Sequence, residues 1–435
     1  MSLGPPVLGH GVGQVYESPI PLWLYLLGAA ATVALSFILR ALSRSDLRVL
    51  VEKRVAGPRG AAILRGAFRT LGIFFIALML VAGIVVRGEG FTTATLLFWL
   101  GLVVGTVFLS SLLDGIWGAA DPWANLESLY RIEGVETARR TPPWWLGPVL
   151  LYALFWFELV SGAGFEDFWV VTVVVLYSIY AFSLRAAFHE DWARADPFSI
   201  LFGFAGRIAP LRLGDDGIFA RSPLAGIDER EPMDRALFAS VFVILASTTL
   251  DNIRETVAWT DFRLSTGLDA LPPRLLDSLA FVVFGIMFLA PFLLATSTAR
   301  RWKKDDSVVG VARRFGWSLV PIGVAYVLSH NAPLLITGVP RLVALLSDPF
   351  ELGWNLFGTA SAFGSFAPSP KLVWFLEVAL IVGGHILGVL SAHRTAVRLA
   401  PSHGAAVRSQ YALTGLMTMY TVVTLALLAQ PLVSS

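Results

Sequence analysis

The chain of 435 residues contains no cysteine, which excludes disulfides, thiolate metal sites and cysteine nucleophiles. It also has no Gly-x-Ser-x-Gly elbow, no P-loop and no dinucleotide fingerprint. No basic run with interleaved aromatic residues is present, so nucleic acid is not a predicted partner. Nothing basic precedes the first apolar run, so we predict an uncleaved first helix rather than a secretory signal.

Charged residues are also scarce, at 15% of the chain, whereas hydrophobic residues make up 56%. An apolar run of about 20 residues crosses a hydrocarbon core roughly 30 Å thick. The runs predict an all-α, polytopic transmembrane helix bundle of about ten spans with short interfacial helices. We expect residues 1–19 to form an extracytoplasmic N-terminal arm and residues 20–435 a single transmembrane domain. The predicted spans are 20–39, 70–86, 93–113, 145–162, 168–184, 235–251, 277–297, 315–338, 372–392 and 409–430.

The positive charges follow one rule along these spans. Of the 33 Lys and Arg residues, 27 fall in alternate loops. Because cytoplasmic loops retain Lys and Arg, these loops are predicted to lie inside and both termini outside. The partner is therefore the lipid bilayer of a cell membrane. The predicted inner loops are 40–69, 118–143, 185–235, 298–314 and 393–408.

An Asp-Pro-aromatic motif recurs at Asp121-Pro122-Trp123, Asp196-Pro197-Phe198 and Asp348-Pro349-Phe350. An Asp before Pro supplies an N-cap acceptor ahead of a residue that needs no amide donor. Each copy therefore predicts the start of a helix. The following aromatic residue favours a helix that lies at the membrane interface.

Ionisable side chains inside spans are the candidates for chemistry, because burying one at mid-bilayer costs about 3 kcal/mol or more. Five positions qualify: Glu158, Asp251, His330, Glu377 and His385. The predicted topology places Glu158 and Asp251 near the outer ends of their helices. His330 and Glu377 fall in the outer half, and His385 falls slightly below the middle.

The two buried histidines have different neighbours. Pro333 cannot donate to the carbonyl of Ser329, so we expect the helix to open or kink beside His330. Gly384, directly before His385, permits close approach of another helix. Each has a simpler interpretation, namely a proline kink with satisfied polar groups at His330 and a hydrogen bond to a carbonyl at His385. The inner His189, His393 and His403 are expected to be solvated.

A metal site is one hypothesis for these residues. His10 belongs to the glycine-flanked N-terminal arm, which could fold back onto the outer face. We predict metal ligands at His10, His330, His385 and Asp251, and catalytic carboxylates at Asp251, Glu377 and Glu158. Imidazole and carboxylate donors suit a divalent transition metal such as zinc, iron, manganese or copper. A metal-bound water is a hydrolytic nucleophile at neutral pH.

Short stretches along most of the chain resemble a family of polytopic bacterial membrane proteins, the fenitrothion hydrolases. They are His10-Gly11, Pro19-Ile20-Pro21, Ile116-Trp117, Asp121-Pro122-Trp123, Phe155-Trp156-Phe157-Glu158-Leu159, Ser222-Pro223-Leu224, Ser247-Thr248-Thr249-Leu250-Asp251, Trp354-Asn355-Leu356-Phe357-Gly358-Thr359-Ala360, Gly384-His385, Ala392-His393 and Arg408-Ser409-Gln410-Tyr411.

This resemblance implies metal-dependent cleavage of an apolar phosphotriester in a bacterial cytoplasmic membrane, together with a second membrane polypeptide. The positions carried over are His10, Glu158, Asp251 and His385. The chain departs from the family pattern at Arg394, where an acid is expected. Two other functions stay open: a transporter or proton-coupled permease, and a membrane anchor subunit of a redox or copper-handling complex.

Overall fold

Helices dominate the computed structural model, which describes residues 22–42, 52–130, 141–188, 191–227, 231–254, 256–302, 306–360 and 369–428. A π-helical stretch, Leu97–Gly105, joins α3 to α4. The helices and strands in chain order are α1 Leu22–Leu42, β1 Lys53–Ala56, α2 Pro58–Val86, α3 Thr93–Leu96, α4 Thr106–Leu112, β2 Leu113–Asp114, α5 Ile116–Ala120, α6 Pro122–Tyr130, α7 Leu146–Leu159, α8 Asp167–Ala187, α9 Pro197–Arg207, β3 Leu211–Gly214, β4 Gly217–Ala220, α10 Pro223–Gly226, α11 Arg235–Arg254, α12 Val257–Thr266, α13 Pro273–Ser297, α14 Val308–Phe315, α15 Val320–Ser347, α16 Pro370–Leu399, α17 His403–Ser409 and α18 Tyr411–Leu428.

Seven helices in the described ranges are long and apolar enough to cross a membrane. An eighth span results if α17 and α18, which meet at a 43° bend, count as one. These helices confirm the predicted helical, multi-pass membrane protein. The predicted spans 20–39 and 145–162 fall on shorter apolar helices, Leu26–Leu39 and Leu146–Leu159, so the count of ten stays a prediction.

The spans differ in how much of their surface is exposed. In α11, 72% of the apolar window is buried, against 28% in the α13 helix and 17% in α2. On α13, large apolar side chains such as Leu279, Ile286 and Met287 are exposed. An apolar surface of this kind suits lipid rather than water. Most of the α11 window is therefore packed against protein, whereas α13 and α2 present most of theirs at the surface.

The described residues form two compact units. The first comprises Glu52–Arg221 and Asn331–Ser369, within the described ranges. Its core includes Leu96, Leu100, Val104 and Leu334. Helix α2 lies close to α5, because a Cβ on Gly72 would lie 1.9 Å from the Ala120 carbonyl oxygen.

The first unit also contains a small sheet that the apolar pattern did not predict. Its strand order is β1-β4-β3-β2, with β2 parallel to β3 and the other pairs antiparallel. Ion pairs surround it: Arg54–Asp216, Arg65–Asp215, Arg212–Glu52 and Arg221–Asp114. The Arg212 guanidinium, hydrogen-bonded to Glu52, holds the pKa of that carboxyl below its usual value. Four of the arginines predicted to lie inside therefore help to hold this sheet together.

The second unit comprises Gly11–Val51, Ser222–His330 and Pro370–Ser435, within the described ranges. Ala29, Ile381 and Leu425 form one of its core clusters and join α1, α16 and α18. Helices α11 and α13 pack side by side, with Phe242 against Phe292. This unit contains α11, α16 and the first part of α15.

The Asp-Pro motif starts a helix at two of its three copies. The Asp121 carboxylate accepts from the amides of Trp123 and Ala124 at the start of α6. Asp196 likewise accepts from the Ser199 amide at the start of α9. The prediction is wrong at Asp348, whose carboxylate accepts from Leu352 and Gly353 and closes a turn instead.

At Pro333 we expected the helix to open or kink beside His330, and the opening is wrong, while a kink there stays a prediction. Helix α15 is continuous from Val320 to Ser347, with Pro333 and Pro340 inside it. The missing donor at Pro333 therefore does not interrupt the helix.

Candidate functional site

The candidate site is built on a hydrogen bond between two helices of the second unit. Nε2 of His330, on α15, lies 2.5 Å from Oδ2 of Asp251, on α11. The side chains are 14% and 5% exposed, respectively. A short bond between a carboxylate and an imidazole is charge-assisted when the ring carries a proton on both nitrogens. The pair can therefore take up or release a proton without separating.

Local sequence explains why α11 tolerates a carboxylate. Ser247 and Thr248 precede Asp251 and donate to the carbonyl of Ile244, so their hydroxyls are satisfied within the helix. Apolar side chains such as Leu245 and Leu250 are buried around them. Asp251 differs from these two residues, because its carboxylate contacts a side chain of another helix.

Arg254 binds the other oxygen of Asp251. Its guanidinium lies 3.1 Å from Oδ1, one turn along the same helix. Arg254 also acts electrostatically on Asp277 of α13. A fixed positive charge beside Asp251 stabilises its ionised form, and Oδ2 then remains as the acceptor for the ring.

Glu377, on α16, lies within electrostatic range of His330. Its side chain is partly buried. The structure therefore brings together three predicted site residues, Asp251, His330 and Glu377, from three different helices. All three belong to the second unit.

Asn252 and Tyr326 also belong to this network, and the sequence analysis did not predict either of them. The amide of Asn252 donates to the Thr248 carbonyl at 2.7 Å and to the Tyr326 hydroxyl at 3.2 Å. Tyr326 is 3% exposed and lies one helical turn before His330 on α15. Tyr326 and His330 are four residues apart and so share one face of a helix. That spacing was the sequence signal that could have identified Tyr326.

His385 lies in the same unit but is held differently. It is 2% exposed, and its Nδ1 donates to the Ile381 carbonyl at 2.9 Å. This contact confirms the simpler interpretation for one ring nitrogen. Gly384 makes the close approach that was predicted, since a Cβ there would lie 2.4 Å from that of Ala325 and 2.6 Å from the Pro321 oxygen.

The remaining predicted site residues are not part of this group. Glu158, on α7, belongs to the first unit, and His10 lies outside the described residues. His393 was expected to be solvated, but it is 1% exposed and is hydrogen-bonded to Gln410. His189 also lies outside the described residues.

A resident metal does not fit the described side chains. Within the described ranges, no group of three or more His, Asp or Glu residues is placed to hold an ion. Both oxygens of Asp251 already contact His330 and Arg254. A catalytic zinc site needs three protein ligands, so the metal stays a prediction that depends on His10.

In comparisons with known proteins, no family model, no curated protein and no solved structure matches the chain. The long apolar helices establish an integral multi-pass membrane protein. Its second unit holds a pair formed by a buried carboxylate and a partly buried imidazole, with a third ionisable group close by.

Proposed function

We propose that the protein is a proton-coupled membrane permease in which Asp251, His330 and Glu377 carry the proton. The observation that supports this proposal most directly is the 2.5 Å contact between Asp251 and His330 on two different membrane helices. Ionisable groups inside membrane spans are costly and typically mark ion or proton pathways. Imidazole is the side chain whose charge changes near neutral pH.

The charge distribution supports an outward position for this site. Because 27 of the 33 Lys and Arg fall in the loops predicted to lie inside, we expect α11 to end, and α16 to begin, on the extracytoplasmic side. Asp251 and Glu377 then lie in the outer half of the bundle in a bacterial cytoplasmic membrane. Ten spans with both termini outside follow if α1, α7 and the bent α17–α18 pair each cross the bilayer.

Each of the three side chains has a separate role in the proposed proton transfer. His330 accepts a proton at the ring nitrogen that does not face Asp251, and Asp251 stabilises the resulting imidazolium. Glu377 takes the proton from His330 and becomes neutral. Arg254 keeps Asp251 ionised throughout, so one proton changes place while the charge on Asp251 stays fixed.

Proton flux into liposomes tests this function. The purified protein is reconstituted with a trapped pH-sensitive dye, a pH gradient is imposed, and valinomycin with potassium clamps the voltage. We expect flux above that of empty liposomes in the unaltered protein and flux at the empty-liposome level in Asp251→Asn, His330→Gln and Glu377→Gln. Asp261→Asn, which changes an exposed acid of α12 in the same unit, is the control and should conduct normally. Equal flux in all of these proteins would overturn the proposal.

A hydrolase is the second candidate, because a carboxylate that orients an imidazole is also the arrangement of a general base. The resemblance to fenitrothion hydrolases points to an apolar phosphotriester as substrate. Diethyl 4-nitrophenyl phosphate reports cleavage by release of 4-nitrophenolate in detergent, where no gradient exists. Loss of a general base should lower this rate by about 100-fold or more in His330→Gln. Cleavage by the unaltered protein without proton flux would favour the hydrolase over the permease.

A further inference from the structure

The loop that follows α15 in the first unit exposes large apolar side chains that the proposed function does not use. It runs from Asp348 to Ala360 within the described ranges, and we call it the 348–360 loop. Clusters of exposed apolar side chains typically mark a contact with a membrane or with another protein. The exposed apolar residues of the loop are Leu352 at 60%, Trp354 at 42%, Leu356 at 60% and Phe357 at 71% exposure.

Hydrogen bonds fix the shape of this loop. The Asp348 carboxylate accepts from the amides of Leu352 and Gly353 at 2.9 and 2.8 Å. The buried Ser347 hydroxyl accepts from the amide of Phe357 at 3.2 Å. Gly353 has a φ of 79°, which glycine adopts without strain. The exposed side chains therefore need little further ordering when they bind something.

The loop continues an exposed apolar surface of α15. Val339 and Val343 are each 43% exposed and lie one turn apart on this helix. Because α15 is long and apolar enough to cross a membrane, such side chains face lipid. The Thr359 hydroxyl donates to the Val343 carbonyl at 3.0 Å, so the loop packs against this end of the helix. The exposed apolar surface therefore extends from the helix onto the loop.

Residue types favour lipid over a protein partner. No charged residue occurs from Leu352 to Ala360. Leucine and phenylalanine enter a bilayer favourably, and tryptophan is enriched at its interface with water. The distribution of Lys and Arg predicts that α15 ends on the extracytoplasmic side, so the leaflet beside the loop is the outer one.

We propose that the 348–360 loop, held in shape by Asp348 and Ser347, inserts its exposed apolar side chains into the outer leaflet of the bilayer. The partner of this surface is the phospholipid itself, at the level of the headgroups and the first carbons of the acyl chains. The loop thereby anchors the outer end of α15 at the membrane interface. This proposal does not depend on proton transport.

Site-directed spin labelling tests the insertion, and the absence of native cysteine makes each introduced label unique. Leu352→Cys and Phe357→Cys are each labelled with a nitroxide in the full chain, reconstituted into phospholipid nanodiscs. Electron paramagnetic resonance then compares collisions of the label with oxygen, which concentrates in lipid, and with a water-soluble nickel chelate. Asp215→Cys, at a fully exposed acid between β3 and β4, is the water control. Ile286→Cys, on the exposed surface of α13, is the lipid control.

We expect the ratio of oxygen to nickel collisions at both loop positions to exceed that of the Asp215 label several-fold and to approach that of the Ile286 label. A ratio equal to that of the Asp215 label at either loop position would overturn the proposal, because the side chain would then lie in water.

The label at Phe357→Cys also tests the role of the loop's shape. Asp348→Ala removes the carboxylate that accepts two amides of the loop, so the ratio of oxygen to nickel collisions should fall several-fold. Glu351→Ala, which changes an exposed acid of the same loop, is the control and should leave the ratio unchanged. An unchanged ratio in Asp348→Ala would overturn the claim that these hydrogen bonds position the side chains for insertion.

Discussion

Each of the two units contains a buried aspartate paired with a cationic or ionisable partner, and the two pairs differ in kind. In the first unit, Asp121 contacts Arg185, and both side chains are 1% exposed. In the second unit, Asp251 contacts His330. Arginine keeps its charge at every accessible pH, whereas the histidine ring changes charge near neutrality. The partner of Asp121 therefore has a fixed charge, whereas the partner of Asp251 can exchange a proton.

The surroundings of the first pair explain its structural role. Asp121 also accepts two backbone amides where α6 begins. The Arg185 guanidinium lies 4.0 Å from the centre of the Trp192 ring and donates to the Ala181 carbonyl. These contacts join α6 and α8 to the segment that follows α8. Burial and pairing therefore do not identify a functional site by themselves; a partner that titrates does.

The largest expected effect comes from breaking the structural pair. Arg185→Met leaves Asp121 buried without its cation, which should cost about 3–5 kcal/mol of unfolding free energy. His330→Gln keeps a hydrogen-bond donor for Asp251 and should cost about 1 kcal/mol. Unfolding of the full chain in detergent with increasing denaturant measures both. Equal losses in the two variants would contradict the division into a structural and a functional pair.

Titration of Asp121 should also make the unfolding free energy of the protein depend on pH. Burial raises the pKa of Asp121 to about 6 from 3.8, although Arg185 opposes the shift. A raised pKa means that folding favours the protonated form, so the unfolding free energy falls as the pH rises from about 4 to 7. A shift of about two units corresponds to about 3 kcal/mol at most.

Thermal unfolding between pH 4 and 7 measures this fall. Asp121→Asn should be destabilised at every pH and should lack the slope that Asp121 contributes. A slope that persists unchanged in Asp121→Asn would assign it to another group.

A smaller effect on stability is expected from alanine substitutions at two adjacent glycines of α16, Gly383 and Gly384. A Cβ at Gly384 would lie 2.4 Å from the Ala325 Cβ, whereas a Cβ at Gly383 meets no atom within 4 Å. Gly384→Ala should therefore cost about 1–3 kcal/mol through overpacking. Gly383→Ala should be neutral or slightly stabilising, because alanine favours a helix over glycine. Denaturant unfolding of the two variants side by side measures the difference, and equal stabilities would show that α16 does not need its close approach to α15.

The sequence predicted the parts of this fold that depend on local patterns. Long apolar runs identified the membrane helices, and Asp before Pro identified the starts of α6 and α9. The cost of burying charge singled out five positions, three of which, Asp251, His330 and Glu377, lie together in the site. In each case the physical cause acts within one helix or between one side chain and the bilayer.

The parts that the sequence did not predict depend on contacts between distant segments. The sheet pairs β1 with β4 across more than a hundred residues, and its strands are too short to give an alternating pattern. Tyr326 joined the site through Asn252 of another helix. The Asp348 turn and the continuous α15 show that a proline motif predicts a boundary only where its surroundings allow one.

The most direct test of the account is a double-mutant comparison of proton flux with Asp251→Asn, His330→Gln and both together. We predict that each single change reduces flux to the level of empty liposomes and that the double change reduces it no further, because the two side chains act as one hydrogen-bonded unit. Normal flux in either single variant would contradict the claim that the Asp251–His330 pair carries the proton.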